Sequence, residues 1–390
     1  MYSLLKDLKV LDLSRLLPGG FATQLLGDMG AEILKVEDPW LGDYMRWLEP
    51  HYEGMEESPL FWGLNRNKRG IKLNLKSDKG KEIIFKLIEE YDVVVEGFRP
   101  GVLDKLGIGY EALKEKKPGV IMCSISGYGQ DGPYRDKSGH DLNFICQSGI
   151  LDLNGEKGKD PAMPPVQIGD VGGGALMAVA GILAAAYHRE RTGEGQYVDV
   201  SMLDGAISFA TMLVMQLFSN ENLKRGETML SGKLPCYNVY PTKDDKYFAV
   251  AALEPKFWED FCKIIEREDL VDYRMSEEPW VKEELKNLFL SKTRKEWEEI
   301  FQQEDVCCDP VLSLDELGDN PHVRHRELLQ EMPHPRAGKT KVVDIPMKFY
   351  PQEKKPHKSP PDHGQDTEEV LKEQGFSDEE IQALKTDKII

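Results

Sequence analysis

Three side chains in this sequence stand where proton chemistry could be done. His140 follows Gly139 and precedes Asp141 in SGHDLNF. There Asp141 is the expected N-cap of a short apolar segment containing Leu142, Asn143, Phe144 and Ile145, so the imidazole should project from a loop edge. Asp170 stands in IGDVGGG, just before three glycines and a long apolar helix. Glycines let a ligand approach the backbone, and a helix N-terminus favours negative charge, so the aspartate and an anionic intermediate could share that field. Glu254 precedes Pro255 between a strand and a helix, and the proline restricts its backbone to extended geometry. Each has a plainer reading. A single histidine is more often structural, an aspartate before a helix is more often a cap, and Glu254 alone is most often a capping or surface carboxylate. Their company of glycine-rich and proline-rich backbone is what recommends them, since chemistry collects on loops held by rigid elements.

The elements that must hold these residues can be read from periodicity. Residues 1–37 read as strand, helix and strand: 9–13 apolar and β-prone, 21–29 helical, 31–37 alternating. SRLLPGG lies between the first strand and helix, placing Ser14 and Arg15 at the carboxyl end of a strand, the edge where open α/β sheets bind ligands; a plain connecting turn fits the spacing equally well. Residues 70–75, 79–91 and 92–96 continue the strand–helix–strand rhythm, and 120–125 adds a strand. Such alternation implies parallel pairing with helices on both faces, a doubly wound α/β domain. Met202, Met212 and Met215 could line an adaptable wall, but packing on one helical face explains them better. The style changes near Gly226. A strand over 246–253 and a helix opened by Pro255 mark a second, smaller α+β domain. Residues 1–200 are assigned to the large domain, 201–228 to a helical linker, 229–330 to the small domain and 331–390 to a segment returning to the first. Within that segment, residues 350–364 read as a linker. The tail carries capping signals at Asp366 with Glu369 and at Ser377 with Glu380, and Phe376 and Ile381 are placed as a hydrophobic staple.

Composition narrows the function. A chain of 390 residues has material for two cores. Its net charge of −18 argues against nucleic-acid or anionic-membrane partners. The six cysteines include no C-x-x-C pair, so no metal site is expected, and a reduced, cytoplasmic setting fits. No stretch of about 18 uncharged apolar residues suggests a membrane span, and no secretory signal is seen. Dinucleotide and P-loop fingerprints are missing. Basic residues cluster at Lys35, at 65–69 and around Gly97, Phe98, Arg99 and Lys105, where they could seat phosphates or simply be solvated charge.

The segments DLSRLLPGG, GAEILKVEDP, NLKSDKG, EGFRPGVLDKLG, SGYGQDGP, SGHDLNF, IGDVGGG, TGEGQYVDVSMLDG, ALEPKFW and NPHVRHREL resemble, in order and spacing, CoA-transferase family III (CaiB/BaiF type), which includes the α-methylacyl-CoA racemases. The resemblance implies a large Rossmann-like domain that the chain leaves and rejoins, and an interlocked homodimer. It further implies an acyl-CoA substrate with no prosthetic group, CoA being part of the substrate. On matching positions, His140 and Asp170 would face opposite sides of a thioester α-carbon, and Glu254 would support the histidine. Donors for the enolate oxygen are expected among the backbone N–H groups near Asp170 and the glycines after it. Arg15, Lys35, Leu73, Asn74, Leu75, Lys76, Gly97, Phe98, Arg99 and Lys105 would contact the substrate or its CoA. Gly139, Asp141, Leu142, Asn143 and Phe144 would lie beside the thioester. The expected reaction is epimerisation of 2-methyl-branched acyl-CoA. One departure keeps CoA transfer through an Asp170 anhydride open: the asparagine that racemases carry four residues before the aspartate is Val166 here, with Gln167 three before.

Overall fold

Short runs of β-branched and apolar residues form six strands of one parallel sheet: β1 (Lys9–Asp12), β2 (Glu32–Glu37), β3 (Lys68–Lys72), β4 (Val93–Glu96), β5 (Ile121–Ser126) and β6 (Tyr197–Ser201). Their order is β3-β2-β1-β4-β5-β6, and each neighbouring pair is parallel. Both faces are covered, as near-continuous apolar strands require. Ala22, Leu26, Ala178 and Ile182 pack in one core, and Ile83, Leu87, Ile88 and Ile381 in the other. The order reverses between β1 and β4, which makes their carboxyl ends the natural crevice for a ligand. β1 runs there into Ser14 and Arg15, and β4 into Gly97, Phe98 and Arg99. The architecture is therefore the expected mixed α/β one with a large parallel sheet.

This computed structural model describes residues 1–52 and 54–390. The chain divides into two units, one made of residues 1–148, 166–209 and 322–390, the other of 149–165 and 210–321. These bounds differ from those read in the sequence. Residues 149–165 leave the sheet-bearing unit because Arg225 grips them, with Nε donating to the Asp152 carbonyl at 2.6 Å, one Nη to Asp152 Oδ1 at 3.0 Å and the other to the Lys159 carbonyl. The chain rejoins the first unit at 322 rather than 331.

Two local expectations in the first unit change. The helix forecast at 21–29 begins at Leu16 and runs to Asp28, so the Pro-Gly-Gly turn lies within its opening turns. Ile168–Thr192 is one continuous helix, long and apolar enough by composition to cross a membrane, contrary to the expectation of no such stretch. Packing accounts for part of that apolarity: 44% of the apolar window is buried, with Ala175, Ala178 and Ile182 fully so in the core beneath β5 and β6, while Leu176 and Tyr187 are exposed. In the returning segment, His357 is buried with Nε2 2.9 Å from Asp344 Oδ1, so residues 350–364 are not a loose linker. Ser377 and Glu380 form the expected capping box. Asp366 instead spends its carboxylate on the Gly70 N–H at 2.7 Å.

The second unit has a three-stranded antiparallel sheet, β7 (Tyr237–Pro241), β8 (Tyr247–Ala251) and β9 (Cys308–Pro310). It packs an aromatic core of Trp258, Phe261, Phe289, Trp297 and Phe301. Met212 and Met215 lie on the helix Thr211–Phe218, which buries no side chain within this chain, so the packing explanation fails for these two, whereas Met202 is buried in the core of the first unit.

Candidate active site

The helix Asp141–Gln147 is capped by His140, not by Asp141 as expected; the backbone of His140 is extended and its N–H donates to Asn143 Oδ1 at 3.0 Å. Phe144, buried at the first turn, seats this cap. A Cβ on Gly139 would lie 2.8 Å from its ring, and one on Gly127 would lie 2.6 Å away, so both glycines are needed for the loop to fold over it. The imidazole is left exposed at the loop edge.

Asp170 lies within a helix rather than before one. Residues Ile168–Leu176 form a π-helical entry to the α-helix Met177–Thr192, a wide turn that recurs at functional positions. The glycines that follow do not open the backbone to a ligand. A Cβ on Gly172 would meet the Phe209 ring at 2.5 Å, one on Gly173 the Met202 carbonyl at 2.5 Å, and one on Gly205 the Gly173 backbone. They allow this helix to cross Met202–Phe209 at close range. The expected enolate donors near Asp170 are likewise committed, the N–H of Asp170 to Asp141 Oδ1 at 2.9 Å and that of Val171 to the Gln167 carbonyl at 3.0 Å.

His140 and Asp170 line one cavity of about 550 Å³ with Arg15, Leu16, Leu17, Tyr44, Met45, Leu48, Gly97, Phe144 and Met202. Burial in this mostly apolar setting pushes the Asp170 carboxyl up to about 6, the nearby Asp141 charge adds to the rise, and His140 opposes it. A carboxyl so poised can exchange a proton near neutral pH. A second cavity of about 570 Å³ shares His140, Gly139 and Phe144 and is walled by Phe98, Arg99, Arg135, Lys137 and Asn143. Arg135 and Lys137 are not among the residues expected from the sequence; both lie between SGYGQDGP and SGHDLNF, where their charge is the only local signal.

Other assignments need correction. Lys35 is fully buried beneath the SRLLPGG loop, 2.9 Å from Asp43 and bonded to the Ser14 carbonyl at 3.0 Å. Burial alone would lower its pKa, but Asp12 and Asp43 raise it, so it stays charged and turned inward, out of reach of a phosphate. Leu73 is buried in the core beside β3, with Leu75 packed against it. The Asn74 side chain receives the Lys76 N–H at 3.1 Å, closing a turn. Lys76 and Lys105 are exposed and do not wall either cavity. Asp141 turns to the Asp170 backbone rather than to a ligand, and Leu142 is exposed. Glu254 belongs to the second unit, exposed at the N-cap of the helix Pro255–Ile264. Among the described residues no cluster of three metal-ligating side chains occurs.

A family model described as CoA-transferase family III matches residues 5–367. The chain is 34% identical over 396 residues to alpha-methylacyl-CoA racemase from Homo sapiens, covering 99% of this chain and 97% of that protein. It is 33% identical over 378 residues to succinyl-CoA:glutarate CoA-transferase from Homo sapiens, covering 95% and 85%. A crystal structure of a CAIB/BAIF family protein from Brucella suis superposes with a TM-score of 0.84 at 27% identity, covering 96% of this chain and all of that one.

Proposed function

Because the chain belongs to CoA-transferase family III and is an enzyme of that family, we propose that it is an acyl-CoA racemase that interconverts 2R- and 2S-methyl-branched acyl-CoA thioesters. The observation that carries this reading is the placement of His140 and Asp170 on the wall of one apolar cavity, with the Asp170 carboxyl pushed up to about 6. In the proposed cycle the Asp170 carboxylate takes the α-proton from one face, and the electron pair moves onto the thioester oxygen as an enolate. A protonated His140 then returns a proton to the other face. The roles exchange for the opposite epimer, and the exposed imidazole supplies a solvent-derived proton. Acid–base catalysis of this kind contributes about 10²–10⁴-fold.

CoA enters as part of the substrate, with no prosthetic group. In this reading its phosphates meet Arg99, Arg135 and Lys137 along the second cavity, where guanidinium and ammonium groups suit phosphate oxygens. The proposal also includes an interlocked homodimer in the cytoplasm, with Glu254 supporting a catalytic imidazole by hydrogen bonding. A single epimer of a 2-methylacyl-CoA incubated in deuterated water should give both epimers carrying α-deuterium. Turnover conditions without α-deuterium would remove the racemase reading.

The near-equal similarity to a transferase favours a second reading, in which Asp170 attacks the thioester and releases CoA thiolate as an acyl–Asp170 anhydride forms; the thiolate attacks the aspartyl carbonyl and expels the first carboxylate, and an acceptor carboxylate reverses these steps to leave as the new acyl-CoA with Asp170 free. Hydroxylamine trapping with mass spectrometry of an Asp170 adduct decides it, and His140→Ala should then spare much of the activity.

A further inference from the structure

We infer that Lys68, which lines neither cavity, is a positioning residue for the reaction: through Asp12 it holds the stretch Arg15–Gly19 against the reacting centre. The inference rests on the reading of the cavity of His140 and Asp170 as the catalytic site. That stretch supplies one side of the cavity, with all five of its residues on the wall. Its conformation is not one that a short loop adopts unaided. Leu16 has φ 61°, in the left-handed region that leucine rarely occupies. The chain also doubles back so closely that a Cβ on Gly19 would lie 2.2 Å from that of Ser14. Backbone of this kind persists only where its surroundings hold it.

The holding groups are buried charges at the carboxyl end of β1. Asp12 Oδ1 accepts the Ser14 N–H at 3.0 Å, the Ser14 carbonyl accepts Lys35 Nζ at 3.0 Å, and Asp43 accepts the Leu16 N–H at 3.0 Å. The root of the wall is thus pinned at three consecutive backbone groups. Lys68 reaches over from β3 and fixes the other half of the Asp12 carboxylate. Its ammonium meets Asp12 Oδ2 at 3.0 Å, Thr23 Oγ1 at 2.7 Å, Asn65 Oδ1 at 2.8 Å and the Gly20 carbonyl at 3.3 Å, and its side chain and that of Asp12 are fully buried. Thr23 Oγ1 donates to the same Asp12 oxygen at 2.7 Å. One ammonium therefore ties β1, the helix Leu16–Asp28 and the helix Pro59–Asn65 together beneath the wall.

The cluster balances its charge only while both lysines are protonated. Asp12 and Asp43 face Lys35 and Lys68, and Glu37, which also faces Lys35, is matched by Arg46 at 2.7 Å. Burial pulls the Lys68 ammonium down to about 8, against Asp12 and Asp43 and with Lys35 adding to the fall. Once Lys68 is neutral, Asp12 keeps only Lys35, 3.9 Å away, in a place shut off from water. Its grip on Ser14 should then slacken and the wall should loosen.

Hydrogen exchange of the full-length protein, read by mass spectrometry on peptides spanning 13–20 and corrected for the intrinsic pH dependence of exchange, tests this without substrate. Wild-type protection of that segment should fall at least about threefold between about pH 7 and about pH 9, while peptides from β4 and β5 keep theirs. Lys68→Met should show the low protection at both pH values. In turnover of a 2-methylacyl-CoA, Lys68→Met should lower kcat/KM about tenfold or more and flatten its alkaline limb. Its affinity for free CoA should be unchanged, because the phosphates are assigned to the other cavity. Equal wild-type protection at the two pH values would overturn the inference, and so would a Lys68→Met protein that protects 13–20 as the wild type does. Should Lys68→Met not fold, the wild-type series decides. Absent turnover beside intact pH-dependent protection would remove the racemase reading and leave the positioning of the wall standing.

Discussion

The carboxylate of Asp141 accepts the backbone N–H of Asp170 at 2.9 Å, so two acids far apart in sequence meet at the start of the helix that carries one of them. The contact fixes the π-helical turn and sets a second negative charge beside the Asp170 carboxyl. Asp141→Asn keeps an acceptor oxygen for that N–H and removes the charge. The acidic limb of the kcat/KM–pH profile should then move below about 6, toward the ordinary aspartate range. An unmoved limb would show that Asp170 is not the group titrating.

Asp170 should also mark the stability curve. A carboxyl whose pKa is raised in the folded state favours the protonated form. Its effect is nil below the unfolded value near 3.8, and stability is lost as pH rises through about 6, by at most about 3 kcal/mol. Asp170→Asn should flatten denaturant midpoints across that window.

Glu96, buried at the end of β4, behaves the same way over a higher range. Burial pushes its carboxyl up to about 7, with Asp104 and Asp199 adding to the rise, while Ser124 and the Phe98 N–H at 2.7 Å resist it. Stability should therefore decline between about pH 4.5 and 7, and Glu96→Gln should remove about 3 kcal/mol of that decline. Thermal melts at closely spaced pH values check this.

Lys35→Met should cost about 3–5 kcal/mol of stability, because it leaves Asp43 buried without its cation and Asp12 with Lys68 alone. Arg99→Ala and Lys137→Ala should instead weaken CoA binding with little change in melting temperature. Paired calorimetry and melts separate the two classes.

Gly173→Ala should destabilise by about 1–3 kcal/mol, since the added methyl meets the Met202 carbonyl, backbone that cannot swing aside. Gly193→Ala would meet no neighbour, but its φ of 78° makes it a different test, of backbone strain rather than of crowding. Denaturant titration of Gly173→Ala gives the crowding cost directly.

By itself the sequence determined the strand–helix rhythm of the parallel sheet, the extended edge after β1 and β4, and the loop that exposes His140. Each of these follows from local periodicity or from the side chain's own neighbours, and local physics is the same in any fold. The tertiary structure decided what the charges and glycines are for. Lys35 reads as a surface cation until Asp12 and Asp43, from other segments, surround it. Gly172 and Gly173 read as room for a ligand until Met202 and Phe209 fill that space. Asp141 reads as a cap until the Asp170 N–H arrives from across the chain. Burial and pairing are sums over neighbours distant in sequence, and only the folded chain brings those neighbours into contact.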